Sequence, residues 1–130
     1  MTPVTSWIEA YRRAWEDRDD EALGALFTRD AVYRSHPFRD PLRGREAIRA
    51  YWRDATGPLT SAAVEFGMPV TDGPRTAVEW WAILRDEQAT STLPGALLLR
   101  FDDQGKCEEL REYWHIAAGQ DIPAPPGWGR

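Results

Sequence analysis

The sequence predicts an α+β fold, with two helices, a short strand and a third helix followed by a curved antiparallel sheet of four long strands around the first helix. Three observations carry that expectation. Apolar residues recur at helical spacing between residues 6 and 55, then switch to strict alternation from Ala62 onward. Turn signals, Asp72-Gly73 and Asp103-Gln104-Gly105, separate the alternating segments. The chain has 130 residues, the length of one domain.

Each element follows from its local signal. Ser6 with Glu9 reads as a capping box, and Trp7, Ile8, Tyr11 and Trp15 then share one helical face. The acidic break Asp17-Arg18-Asp19-Asp20 offers a new cap, with Leu23, Leu26 and Phe27 marking a second, shorter helix. Ala31-Val32-Tyr33 reads as a brief strand. Pro37 and Pro41 make Ser35–Arg43 a loop. Gly44 opens a third helix with the stripe Ile48, Tyr51, Trp52 and Ala55, and Gly57-Pro58 ends it.

The strands follow in the second half. Ala62, Val64, Phe66, Met68 and Val70 alternate with smaller or polar residues, as in a strand with one buried face. Thr76–Arg85 and Leu93–Phe101 are apolar on both faces apart from Glu79, and a last strand runs from Cys107 to about Ala117. Such strands need cover on both sides, helices on one and a partner subunit on the other. Residues 1–118 thus read as the domain. Residues 119–130 are a Pro/Gly-rich tail, extended or mobile, on which Trp128 is either loosely exposed or docked on a partner.

Composition narrows the function. Sixteen bases against twenty-one acids leave a net charge of −5, which disfavours nucleic acid and anionic membranes as partners. A single cysteine excludes an internal disulfide framework and a thiolate zinc cage. Cys107 precedes Glu108 and Glu109, so a reactive thiolate is not expected there. The absence of a long apolar stretch and of a basic-then-apolar leader reads as a cytoplasmic protein. His36 and His115 are too few and too far apart for a metal site. The unusual count is tryptophan, seven in all, which points to a pocket, an interface, or both.

The chain resembles the nuclear transport factor 2-like superfamily, in its SnoaL-like and ketosteroid-isomerase-like branch. The resemblance rests on Trp15-Glu16-Asp17-Arg18-Asp19, on Leu26-Phe27-Thr28-Arg29-Asp30-Ala31-Val32 and on Gly44-Arg45-Glu46-Ala47-Ile48. Leu99-Arg100-Phe101-Asp102 and Glu112-Tyr113-Trp114 complete it, and it covers about residues 6–117. It implies a cone-shaped barrel with a deep apolar pocket between the helices and the concave sheet face. It also implies a homodimer through the convex face, here Trp81, Ile83 and Tyr113. The superfamily includes isomerases, cyclases, hydratases, epoxide hydrolases and non-catalytic binding modules, so function must come from the site.

Three residues are candidates for chemistry. The resemblance places His36, in Ser35-His36-Pro37, at the position of a general base, and an imidazole titrates near neutrality. The alternative is a loop histidine bonded to backbone near Pro37. Tyr11 corresponds to a tyrosine that donates to a developing oxyanion, or else is a core residue. Glu112 shares a strand face with Leu110 and Trp114, which the resemblance points inward. An acid in an apolar cavity has a raised pKa, whereas an arginine partner or a solvated rim position would remove that property.

The family's second oxyanion donor falls here on Leu97 or Leu98, which cannot donate, and the isomerases' supporting tyrosine network is missing at Trp52 and Phe27. The resemblance implies that Glu79 faces outward, paired with Arg100 or Arg111, whereas a one-residue slip would turn it inward opposite Glu112 as a carboxylate pair. The implied pocket wall is Trp52, Trp80, Trp114, Leu97, Leu110, Phe27 and Phe38. Together these residues suggest a pocket for a planar or polycyclic hydrophobic molecule. Its chemistry would be cofactor-free acid–base isomerisation, cyclisation or dehydration, with a non-catalytic binding or dimeric scaffolding module as the alternative.

Overall fold

The computed structural model describes residues 2–130. Helix α1 (Pro3–Asp17) begins earlier than the Ser6–Glu9 pair suggests. Thr2 is its N-cap, with its side-chain oxygen accepting from Thr5 N at 3.1 Å, and Pro3 stands where a missing N–H costs nothing. One face of α1 buries Trp7, Ile8, Tyr11, Ala14 and Trp15. The helix stops at Arg18, which adopts the left-handed conformation. Asp19 caps α2 (Asp20–Gly24) by accepting from Ala22 N at 3.0 Å.

Leu26 and Phe27 fall outside α2. Phe27 instead starts β1 (Phe27–Arg34), where its backbone pairs with Cys107. The Trp7 indole N–H donates to Leu26 O at 2.9 Å and fixes α1 to this junction. After the loop come β2 (Leu42–Arg43) and α3 (Arg45–Thr56), then β3 (Leu59–Phe66) and β4 (Val70–Asp72). The alternating run from Ala62 to Val70 is therefore two strands, interrupted near Gly67. The remaining strands are β5 (Arg75–Asp86), β6 (Thr90–Phe101), β7 (Cys107–Trp114) and β8 (Ala117–Ala118).

The sheet runs β2-β1-β7-β6-β5-β3, with β4 added to β5 and β8 to β6. It is mixed and open, because β1 lies parallel to β7 while the other pairs are antiparallel. The three helices and this curved sheet make up the expected α+β fold. Glu16 extends from α1 to accept from Val64 N at 2.8 Å, tying the helix to β3.

Strand register separates two faces. Val78, Trp80, Ala82, Leu97, Leu99, Leu110 and Glu112 are buried on the inner face. Glu79, Trp81, Ile83 and Tyr113 alternate with them and face outward. Glu79 is outward as expected, but it pairs with neither arginine. Arg100 and Arg111 take Glu109 instead, at 2.9 and 3.5 Å, because β6 and β7 bring those side chains together on the same face.

Trp80 lies opposite Gly95 in the β5–β6 register. A Cβ at position 95 would fall well inside van der Waals contact of three Trp80 ring atoms. Gly95→Ala is therefore expected to destabilise the fold by about 1–3 kcal/mol through overpacking. A lower denaturant midpoint at unchanged slope would show it.

The tail is ordered rather than loose. Thr92 Oγ1 donates to Gln120 O at 2.7 Å, and Ile122 N donates to Thr92 Oγ1 at 3.0 Å. The Trp81 indole donates to Ile122 O at 2.9 Å. Further on, Trp128 meets Trp81 edge to face at 5.0 Å and donates to Trp80 O at 3.3 Å. Met68 N donates to Gly129 O at 2.9 Å, where Gly67 and Gly129 touch backbone to backbone. Trp128 thus docks on its own chain, because the outward Trp81 ring offers it apolar cover within reach.

Candidate functional site

A cavity of about 180 Å³ lies between α1, α3 and the inner sheet face. Its walls include Trp15 from α1, Tyr51 and Trp52 from α3, Trp80 from β5, and Glu112 and Trp114 from β7. These positions follow from period: residues 51 and 52 lie on the inward stripe of α3, and 112 and 114 share the inner parity of β7. The rings brace one another edge to face. Trp15 meets Trp52 at 5.2 Å and Trp80 at 5.1 Å, with interplanar angles of 73° and 75°.

Among the described residues Glu112 is the one carboxylic acid lining this cavity, and it is only 8% exposed. The Tyr33 hydroxyl donates to its Oε1 at 3.1 Å, and the Tyr11 hydroxyl lies 3.4 Å from that of Tyr33. Burial pushes the Glu112 carboxyl up to about 8, against the opposing effect of the Tyr33 hydrogen bond. Tyr11 and Tyr33 are held well above the usual phenol range, first by burial and then by the Glu112 charge. Tyr51 is raised for the same two reasons. At neutral pH the site therefore holds one removable proton on Glu112, backed by neutral hydroxyls.

The expected site residues divide into three groups. Trp52, Trp80, Trp114 and Glu112 come together on the cavity, while Tyr11 lies beneath it and reaches Glu112 only through Tyr33. Leu97, Leu110 and Phe27 are fully buried core residues and do not line it. His36 and Phe38 also fall outside its lining, and Phe38 is 91% exposed. The loop fastens His36 to itself, with Nδ1 accepting from Phe38 N at 3.2 Å and its carbonyl accepting from Arg39 N. That turn is the backbone-bonded alternative raised for a histidine before Pro37.

Sequence reasoning missed Tyr33, which supplies a hydroxyl where the tyrosine network was thought absent. The signal was present: Tyr33 shares parity with the buried Ala31, and the β1–β7 register sets it beside Leu110, two residues from Glu112. Cys107 is buried and its thiol is pushed up to about 12 by desolvation, so it stays protonated. A larger depression of about 630 Å³ lies on the outer face beside Arg100 and Arg111. It holds no buried acid, and Arg100 at its rim is already paired with Glu109. Among the described residues no helix is long and apolar enough to cross a membrane.

Comparison with known proteins agrees with this architecture. The SnoaL-like domain family matches residues 8–110. No functionally curated protein shows significant similarity to the chain. Among solved structures, a hypothetical protein of ketosteroid isomerase-like fold from Catenulispora acidiphila, in complex with trimethylamine, is similar at 23% identity. That match covers 82% of this chain and 83% of the other, with a TM-score of 0.74. An LEH-like epoxide hydrolase of Mycobacterium tuberculosis is similar at 20% identity over 87% and 83% of the two chains, with a TM-score of 0.74. A SnoaL-like polyketide cyclase, so named from Shewanella denitrificans, matches at 18% identity over 88% and 92%, with a TM-score of 0.75. At these identities the likeness is one of fold.

Proposed function

Since the chain belongs to the SnoaL-like domain family, we propose that its inner cavity binds a small organic molecule and exchanges a proton or hydrogen bond with it at Glu112. The observation that carries this reading is the Glu112 carboxyl, buried among aromatic rings and held by Tyr33. A buried acid with no arginine partner is costly to keep, and such groups gather where a ligand or reaction uses them.

Size narrows the ligand. A cavity of roughly 150 Å³ admits benzene, so about 180 Å³ suits a single ring or a small branched molecule. A fused polycycle would need the walls to move. The Catenulispora protein of this fold is in complex with trimethylamine, a ligand within that size.

A second reading is catalytic: cofactor-free isomerisation, cyclisation or dehydration with Glu112 as acid or base. The Glu112–Tyr33–Tyr11 chain favours it, because hydroxyls behind a carboxyl can steady a developing charge. Against it, the His36 ring is held by its own loop and the cavity has one acid–base group rather than two.

Tryptophan fluorescence separates these outcomes. Titration with single-ring ketones and amines is expected to quench emission from the cavity tryptophans. Deuterium appearing next to the carbonyl of a bound ketone in heavy water, and vanishing in Glu112→Gln, would establish catalysis. Failure of every single-ring probe to alter the emission would sink both readings.

A further inference from the structure

We propose that the cavity is a receptor for a small tertiary amine, bound as its ammonium ion with Glu112 as counter-ion and the surrounding rings as its cage. This rests on the ligand-binding reading above and names the ligand class. Among the described residues the cavity lining includes no arginine, lysine, histidine or aspartate, so Glu112 is the group there that can take up a formal charge by losing its proton. A buried acid with no cation beside it stays protonated, and a positive ligand would stabilise its ionised form.

The walls point the same way. Trp15, Tyr51, Trp52, Trp80 and Trp114 line the space, and the edge-to-face contacts among the first four set rings in several planes. Rings on several sides of one small volume attract an alkylated cation through their negative faces, and most strongly where water is excluded. Aliphatic contacts from Leu59, Leu84 and Leu93 would suit the alkyl groups.

Hydrogen-bond bookkeeping selects the amine type. Glu112 Oε1 accepts from Tyr33, which leaves Oε2 without a protein partner. The single N–H of a tertiary ammonium can bond Oε2 while its three alkyl groups meet the apolar walls. A primary ammonium would bring two further donors, for which the lining offers only the Tyr51 and Thr56 hydroxyls among mainly apolar walls.

Proton balance gives a pH signature. Below the folded carboxyl pKa of about 8, an arriving ammonium ion must displace the Glu112 proton to solvent. Affinity for an amine should therefore rise about tenfold per pH unit from 6 towards 8, then level off until the amine itself deprotonates. The groups facing Glu112 are Tyr33, Tyr11 and Tyr51, all neutral across that window. Arg34 and Arg111 border a second pocket that Glu112 also lines, but they alternate outward on β1 and β7 and are not among the causes of the Glu112 shift. A neutral acceptor such as a ketone would take its hydrogen bond from the protonated acid. Its affinity would be flat below pH 8 and fall above.

The test uses the full chain with N-methylpiperidine and cyclohexanone, matched in size and differing in charge. Tryptophan quenching and calorimetry are expected to show the amine binding at least about tenfold more tightly at pH 8. Glu112→Gln should remove that preference while cyclohexanone binding persists. Trp114→Leu, at a partly exposed wall position, should weaken the amine more than the ketone, because it removes one ring of the cage. If Glu112→Gln does not fold, Trp114→Leu and the pH slope decide. Ketone binding equal to or tighter than that of the amine, or an amine affinity flat from pH 6 to 8, overturns the amine assignment and leaves the pocket reading intact. Binding of neither probe overturns both.

Discussion

Glu112→Gln is expected to stabilise the empty protein at pH 8 by a few kcal/mol relative to the native chain, and to change it little near pH 4. The folded carboxyl lies at about 8 against an ordinary 4.5. Between those values the unfolded chain has released this proton and the folded chain still holds it. Fewer protons on the unfolded state mean that stability falls as pH rises, by up to about 1.4 kcal/mol per unit. Below the unfolded pKa both states are protonated and the effect is absent; above the folded pKa both are ionised and the loss is complete. Glutamine keeps the shape and can still accept from Tyr33, but it has no proton to lose. The carboxylates held low by arginine, Glu9 and Asp20, contribute the opposite slope at lower pH. They are common to both proteins and cancel in the difference. Urea midpoints from pH 4 to 9 measure it directly. Parallel profiles for the two proteins would show that Glu112 is not the buried neutral acid described here.

The same residue shows how far the sequence could be read. Period two alone put Glu112 on the face of Leu110 and Trp114, because a strand offers only two sides and those neighbours are apolar. For β5 the period left two choices, and it was the family resemblance that set Trp80 inward with Glu79 and Trp81 on the outward, partner-facing side. Helix starts were harder. Ser6 and Glu9 had the residue types of a cap, yet Thr2 and Pro3 satisfied the exposed N–H groups sooner and lengthened α1.

Loops were legible least of all. Nothing in Ser35-His36-Pro37-Phe38 showed that the histidine ring would accept a bond from its own turn, since that depends on backbone angles rather than on pattern. Tyr33 was missed because the pattern marks only Ala31–Tyr33 of the strand Phe27–Arg34, and its role depends on a parallel pairing with β7, distant in sequence. The tail was misjudged for a related reason. Proline and glycine rule out helix and strand, but they leave open whether tertiary contacts fix the segment.

Those contacts make the tail the second place where a large effect is expected. Truncation after Gly119 should lower the melting temperature by roughly 5–10 °C and shift Trp81 emission to the red. The estimate starts from Trp128, which is half-buried and packed edge to face on Trp81. Removing a fully buried tryptophan costs about 3–5 kcal/mol, so this partly covered ring is worth about 2. Thr92 and Trp81 each lose a hydrogen-bond partner as well, at Gln120 and Ile122. Thr92 is buried in the intact chain, but truncation opens it to water, which limits that penalty. The Arg85–Asp121 pair is exposed and adds little. The cavity should feel the change, because the Trp128 indole donates to the carbonyl of Trp80 while the Trp80 ring forms a cavity wall. Trp128→Phe separates the two effects: it keeps most of the packing on Trp81 and deletes the donor to Trp80. If that variant melts near the native temperature but binds cavity probes more weakly, the tail positions the wall through that bond. Unchanged melting and emission in the truncated chain would mean that the tail does not hold the outer face of the sheet.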